Sequence, residues 1–354
     1  MKILQLTYAE LLSEFQQCYG KGSYHAAAVY REVFKNGGVA FSSMPEFIKS
    51  PGLALEINNA LHRNLLPVIE EKKEAGLTKF ITRLRDGLKI ESVVVPMPHH
   101  KTICISSQAG CRMGCTFCAT GRMGLLRNIT VEEIVGQVYA ARFTLGHKIK
   151  NIVFMGMGEP LDNFENVIQA IRVLNDQRGL DFAHRHITVS TCGLVHGMNK
   201  LAELNWPLVN LAISLNAPNN ALRSAIMPIN NAFPLDRLKQ ALREYPLKKS
   251  GVFLIEYILI ENINDSRKHA RELALFLEHL RVRVNVIPFN PLAGSPFAPP
   301  SEEKTQQFCS WLAGHKLFTR SRSSKGQSLM AGCGQLGSRY VQRLKHNQQM
   351  EVQL

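Results

Sequence analysis

The chain reads as an α/β fold on a parallel sheet, open or barrel-like, preceded by a small helical region. Three observations predict this. From about residue 91, strand-like runs alternate with helical stretches through six repeats. Polar and glycine residues gather at the C-terminal ends of those runs, where β/α barrels place their sites. Up to about residue 85, apolar residues recur near helical spacing between glycine breaks.

The helical region covers Tyr8 to Tyr19, Tyr24 to Lys35 and Gly52 to His62, interrupted by Gly20-Lys21-Gly22 and Gly37-Gly38. The predicted strands are Thr102–Ser107, Asn151–Met155, His186–Ser190, Val209–Ser214, Val252–Leu259 and Val284–Pro288. Between them lie helices over Val131–Leu145, Asn163–Asn175, Gly197–Leu204, Leu235–Tyr245 and Asp265–Leu280, with Glu302–Ala313 following. Thr130 before Val131-Glu132-Glu133 is suited to cap the first of these. Three regions follow: 1–85, a helical accessory domain for docking RNA; 86–315, the barrel; and 316–354, a basic C-terminal segment carrying a reactive cysteine.

Bulk composition narrows the class. Of 354 residues, 45% are hydrophobic and 20% charged, the balance of a globular protein. No run of apolar residues is long enough for a membrane span, and the N-terminus lacks a signal-peptide layout. Lys and Arg total 42 against 28 acidic residues, a formal charge of +14, the footprint of a polyanion binder such as nucleic acid. Eight cysteines in a long chain without a signal read as reduced, cytoplasmic and catalytic.

The most specific feature is Cys111-Arg112-Met113-Gly114-Cys115-Thr116-Phe117-Cys118, a CxxxCxxC spacing. Three thiolates fall one short of the four that saturate an iron–sulfur cluster. An open iron can chelate S-adenosylmethionine and pass an electron to its sulfonium, giving a carbon radical that no side chain could generate. Structural zinc pairs short knuckles and closes at four ligands, and no second knuckle follows here. Buried free thiols are the remaining alternative, and three of them on a Gly- and Thr-bearing loop match core packing poorly.

Weaker signals sit at the other strand ends. Gly158-Glu159-Pro160 offers a carboxylate or a backbone carbonyl to the amino group of S-adenosylmethionine. Ser190, Ser214 and Asn216 suit its carboxylate and ribose, and Asn290 its adenosyl group; each alone reads as strand-end capping. Cys333 has basic residues upstream, and nearby cations favour a reactive thiolate. Cys104, within the first strand, reads as a core thiol, and Glu91 as a solvated strand residue.

Taken together, these residues resemble the RlmN and Cfr family of radical-SAM adenine methyltransferases, which act on 23S ribosomal RNA and, for some members, tRNA. The resemblance spans nearly the whole chain. It rests on Ser106-Ser107-Gln108-Ala109-Gly110-Cys111, Gly114-Cys115-Thr116-Phe117-Cys118-Ala119-Thr120-Gly121 and Asn151 through Leu161. Ala217-Pro218-Asn219, Arg223, Met227-Pro228-Ile229-Asn230 and Ala331-Gly332-Cys333-Gly334-Gln335-Leu336 also fit.

The resemblance implies a partial six-stranded, TIM-like β/α barrel with an N-terminal helical domain and a C-terminal cysteine-bearing loop. It implies a [4Fe–4S] cluster on Cys111, Cys115 and Cys118, and S-adenosylmethionine held by Gly158, Glu159, Ser190, Ser214, Leu215, Asn216 and Asn290. Cys333 would carry the methyl group, Cys104 would form a transient disulfide with it, and Glu91 would accept a proton. The implied product is an adenine methylated at carbon 2 or carbon 8, and the implied electron donor is a flavodoxin or ferredoxin. Two departures stand out: Gly326-Gln327-Ser328-Leu329-Met330-Ala331-Gly332 lacks the usual acidic residue and has Gly for the second Ala, and Asn216 stands where His is common. The competing readings are a radical-SAM enzyme with a non-RNA substrate and a non-enzymatic RNA-binding protein with a structural metal.

Overall fold

The computed structural model describes residues 2–38, 40–60, 65–322 and 326–338. Three helices open the chain: α1 (Tyr8–Tyr19), α2 (Ser23–Arg31) and α3 (Pro51–Ala60). Helix α1 begins in a capping box, where Thr7 and Glu10 satisfy each other's backbone N–H groups. It ends on left-handed Gly20, as its sequence predicts. The last residues expected in α3 lie outside the described residues.

The helical character does not continue to residue 85. Strands β1 (Val68–Glu74), β2 (Leu77–Arg83) and β3 (Lys89–Met97) form an antiparallel meander instead. Strand β1, with sequence VIEEKKE, is an edge strand whose charges hide its β character while protecting the exposed edge.

The next elements are β4 (His100–Cys104), β5 (Gln108–Cys111), α4 (Ala119–Arg122), β6 (Gly124–Asn128), α5 (Val131–Tyr139), β7 (Ile149–Phe154) and α6 (Phe164–Asn175). They are followed by β8 (Ile187–Thr191), α7 (Val195–Glu203), β9 (Asn210–Ser214), α8 (Asn220–Ile226), α9 (Leu235–Glu244) and β10 (Phe253–Leu259). The chain then runs through α10 (Arg267–Leu277), β11 (Val282–Pro288), α11 (Glu302–Gly314) and β12 (Thr319–Ser321). All six expected strands are present; β12 adds a short parallel neighbour to β11. One ten-stranded sheet runs β1-β2-β3-β4-β7-β8-β9-β10-β11-β12, with β5 and β6 paired separately. No helix among the described residues is long and apolar enough to cross a membrane.

Register decides what each face carries. Ile152, Phe154, Ile187, Val189, Leu211, Ile213, Ile255, Tyr257, Val284 and Val286 join the main core on the helix-covered face. Alternate residues point the other way. Lys79 opposes Val93, Val93 opposes Cys104, and Cys104 opposes Val153, so these side chains share the inner face. Ser190–Ala212–Leu254 and Ser214–Glu256–Asn285–Arg320 continue it across the parallel strands. The inner face is thus markedly polar for a parallel sheet, whose faces are usually both apolar.

Gln137 of α5 ties the first helix of the barrel to this wall. Its Oε1 accepts from Ser92 Oγ and Ser106 N, both at 2.8 Å, and its Nε2 donates to Ser106 O at 2.9 Å. All three residues are fully buried. Gln137→Leu orphans these groups and is expected to cost about 2–4 kcal/mol, read as a lower urea midpoint at unchanged slope.

Candidate active site

Cys111 ends β5, and Cys115 and Cys118 follow on the loop before α4; all three pack into a second apolar cluster with Met113, Phe117, Ile258, Ile287 and Phe289. Burial pushes the Cys111 thiol up to about 12, with the Met113 N–H opposing and Cys118, Glu159 and Asp162 adding. Cys115 is driven far above the ordinary thiol range by burial, then by Cys118 and Cys111. Burial also raises Cys118, against the Gly121 and Thr120 N–H groups at its sulfur, with the Thr120 side chain opposing more weakly. Three mutually repelling thiolates in an apolar nest need a compensating cation, which iron supplies. Among the described residues no three His, Cys, Asp or Glu side chains converge on a single metal ion. A cubane cluster needs no such convergence, because each thiolate takes its own iron. The donor set therefore fits [4Fe–4S], and N–H···S bonds such as those at Cys118 tune cluster potentials.

The strand-end residues divide into two kinds. Gly158 has φ +101°, and a Cβ there would meet Gln108 Cβ at 2.6 Å, so only glycine fits this close approach. Glu159 is buried, and its carboxylate is already committed: Oε2 accepts from Cys192 N at 2.8 Å and Oε1 from Leu161 N at 3.1 Å. Burial raises its pKa while these bonds oppose the rise. Backbone carbonyls at this turn are therefore better placed than the carboxylate to receive an ammonium. Asn216 is similarly committed. It sits in the left-handed region at φ +56°, which Asn tolerates, and its Oδ1 accepts from Ile258 N at 2.9 Å. Leu215 donates its N–H to Glu256 O at 3.0 Å, stitching β9 to β10. Ser190 and Ser214 lie on the polar inner face.

Asn290, after β11, grips the C-terminal loop: its Nδ2 donates to Cys333 O at 3.0 Å and its Oδ1 accepts from Gln327 Nε2 at 3.3 Å. The departure at Gly332 follows from this grip, since a Cβ there would meet the Asn290 amide at 2.6 Å. Gln335 Nε2 donates to Pro291 O at 3.0 Å, Ala119 N to Gly334 O at 2.7 Å, and Thr120 Oγ1 to Leu336 O at 2.7 Å. The loop is thus pinned to both the cysteine motif and the end of β11.

Cys333 is exposed, yet desolvation by its surroundings pushes its thiol up to about 11, with Glu256 adding and Arg322 opposing. The cations upstream in sequence do not make it a ready thiolate, contrary to the sequence expectation. Arg322 alone pulls in that direction, and Lys325 lies outside the described residues. Cys104 is not mid-strand but the last residue of β4, half-buried and on the inner face. Burial pushes its thiol up to about 12, and Cys333 is the next contributor. Cys118 also acts on Cys333. The three sulfurs therefore lie within electrostatic reach in the order Cys118, Cys333, Cys104.

Glu91 is a buried inner-wall residue, not a solvated one. Its Oε2 lies 2.8 Å from Lys79 Nζ, off the direction of a good hydrogen bond, so the contact is ionic. Lys79 also donates to Met330 O at 2.8 Å. Lys79, Cys192, Arg223 and Glu256 are site neighbours that sequence reasoning did not assign to the site. Of these only Arg223 carried a signal, its place in a matching motif.

Known proteins match this chain over most of its length. The Radical SAM superfamily matches residues 105–274. The chain is 42% identical over 345 residues to the probable dual-specificity RNA methyltransferase RlmN 1 of Protochlamydia amoebophila, covering 98% of this chain and 96% of that protein. It is 40% identical to the dual-specificity RNA methyltransferase RlmN of Syntrophobacter fumaroxidans, covering 93% and 96%. The crystal structure of a radical SAM methyltransferase from Sphaerobacter thermophilus superposes with a TM-score of 0.88 at 37% identity, covering 96% of this chain and 99% of that one.

With the Cys333 thiol near 11, its thiolate fraction is small at neutral pH and grows tenfold per pH unit below that value. Alkylation of Cys333 by iodoacetamide, followed by peptide mass spectrometry, should rise about tenfold per unit from pH 7 to 9.

Proposed function

Because the chain belongs to the RlmN family of dual-specificity RNA methyltransferases within the radical SAM superfamily, we propose that it methylates an adenine ring carbon in RNA, carbon 2 or carbon 8, through an S-methylated cysteine. Its substrates are 23S ribosomal RNA and transfer RNA. The observation that carries the cysteine assignment is Cys333 within electrostatic reach of both Cys118 and Cys104.

Cys111, Cys115 and Cys118 would hold the [4Fe–4S] cluster. The backbone of Gly158 and Glu159, with Ser190, Ser214, Leu215, Asn216 and Asn290, would hold S-adenosylmethionine. When bound, these cofactors supply a transferable methyl group and a one-electron route to a carbon radical.

The chain's own residues do the rest. Cys333 loses its proton and takes the methyl group on sulfur. Asn290 and Gln335 fix the loop, so that the methyl carbon is presented to one place. The adenine must leave its stack to enter, as base-modifying enzymes require. Glu91, on the inner face with Cys104, accepts the proton released when the new carbon–carbon bond has formed; one electron must leave with it to give a closed-shell adduct, and the bound cluster would be its acceptor. The Cys104 thiolate then attacks the Cys333 sulfur. The sulfur–carbon bond breaks, its electron pair stays with the product carbon and is protonated to methyl, and a Cys104–Cys333 disulfide remains. A flavodoxin- or ferredoxin-type donor would supply the electrons, and the reduced thiols require a reducing compartment, the cytoplasm.

RNA docks through its phosphates on the basic surface. The N-terminal helical region and the segment with Lys316, Arg320 and Arg322 are the candidates, and the barrel between them carries the chemistry. RNA affinity should therefore fall steeply between about 50 and 200 mM salt; a flat dependence in filter binding would refute phosphate-led docking.

The two cysteines should fail at different stages. Cys333→Ala should yield neither product nor adduct. Cys104→Ala should stall with RNA covalently attached, visible on a denaturing gel as a nuclease-sensitive shift. Normal turnover by Cys104→Ala without trapped RNA would overturn the assignment. Loss of iron from Cys111→Ala, Cys115→Ala and Cys118→Ala, measured per chain, tests the cluster ligands separately.

A further inference from the structure

Arg223 of α8 is fully buried and is the bulkiest side chain so enclosed. Its guanidinium spends its hydrogen bonds on neutral oxygens: Nε to Leu215 O at 3.2 Å, Nη1 to Asn230 Oδ1 at 3.1 Å and Nη2 to Cys192 O at 2.5 Å. Among the described residues no carboxylate forms an ion pair with it; the salt bridges found lie elsewhere. Guanidinium keeps its charge in proteins, and a buried charge without a counter-charge is strongly disfavoured. Solvent cannot supply the compensation, and neither can the three oxygens, which are dipoles. The buried partner must be an anion that the protein acquires.

The surroundings identify it. The end of α8 packs on the motif: Ile226 and Met227 share an apolar cluster with Cys111, Cys115 and Cys192, and Ile226 O accepts from Thr116 N at 3.0 Å, so the groups acting on Arg223 electrostatically are Cys192 and Cys115. Cys115 is one of the three motif cysteines, and Arg223 is the one cation among the groups acting on it. Cys192 has its own acceptor, sharing a hydrogen bond with Glu159, so it has no need of a thiolate charge. A cubane cluster on three thiolates carries a single negative charge when oxidised and a double one after accepting an electron. A cation fixed nearby in a water-poor site favours the more negative state.

We propose that Arg223 is the built-in counter-charge of the iron–sulfur cluster, held in place by Leu215, Asn230 and Cys192 so that it stabilises the reduced cluster. The inference rests on the cluster assignment made above. Its role is electrostatic: Arg223 sets how readily the cluster accepts an electron, and without the cluster its charge is left uncompensated.

The test uses the full chain, reconstituted anaerobically, with iron and sulfide counted per chain and the one-electron midpoint measured by a redox titration followed by electron paramagnetic resonance. Arg223→Lys keeps the charge and should titrate with the wild type. Arg223→Gln keeps hydrogen-bond donors but removes the charge. It should weaken reduction at least tenfold, a shift of about 59 mV to more negative potential for a one-electron couple. Asn230→Asp leaves Arg223 in place and gives it a carboxylate partner, with Ser224 Oγ, already 2.8 Å from Asn230 Nδ2, able to donate to the new group. It should shift the midpoint in the same direction even if Arg223→Gln does not fold. A purely structural tie predicts damage from Lys and Gln alike and no shift from Asn230→Asp. Either result, or a loaded Arg223→Gln with the wild-type potential, overturns the proposal. A wild-type chain that binds no iron removes the cluster assignment and this inference together, whereas loaded chains with unmoved potentials remove this inference alone.

Discussion

Strand register is the constraint on which the site depends. The pairings Lys79–Val93, Val93–Cys104 and Cys104–Val153 carry one face of an antiparallel meander onto the inner face of a parallel sheet. A slip of one residue where β4 meets β7, with the meander carried along, would send Cys104 beneath the helices and Glu91 with it. The outer face resists such a slip, because Ile152, Phe154, Ile187 and Val189 would then be exchanged for Asn151, Val153, Thr188 and Ser190. Apolar packing on one side of the sheet thereby fixes the polar chemistry on the other. Gln137 reinforces the junction between β3 and the segment after β4, where the antiparallel and parallel halves of the sheet meet.

Desolvation is the second theme. The thiols at Cys104, Cys111, Cys115, Cys118 and Cys333 are all raised, burial being the first cause in every case. These five thiols are therefore poor nucleophiles at neutral pH. They become reactive when a bound cation or electrophile offsets the cost of the thiolate. In the mechanism proposed above, this restraint would keep Cys104 and Cys333 from closing on each other before substrate arrives.

Much of the barrel was legible because its signals are local. Parallel strands show as short β-branched runs, helices as amphipathic periods, and Thr130 and Glu133 form the capping box that the sequence around Thr130 invites. The meander β1 to β3 was not legible as strand, because the charges of VIEEKKE that guard a sheet edge also erase alternation. The cysteine motif announced itself through spacing. Glu91 and Cys104 did not, since a strand residue's value depends on which face it occupies, and the family resemblance had to assign them. Arg223 and Lys79 lie further beyond reach. Their meaning comes from Cys192, Cys115, Glu91 and Met330, brought together only by the fold. Glu159 and Asn216 show the converse: residue types suited to a ligand turned out to have their side chains occupied by the backbone.

Among the described residues the sheet ends at β1 and β12, and no ladder closes it on itself. Side chains make the join instead. Lys79 holds Met330 O, and Ser328 Oγ donates to Glu74 Oε2, so residues 326–333, gripped after β11 by Asn290, reach back to the first hairpin. A nucleotide within RNA is tethered on both sides and cannot be threaded into a sealed ring. A wall joined there by two side-chain hydrogen bonds, with no strand ladder, leaves less to separate along that flank. These two clasps and Cys333, the proposed methyl carrier, lie on one short ribbon, so whatever displaces the clasps also displaces the thiol.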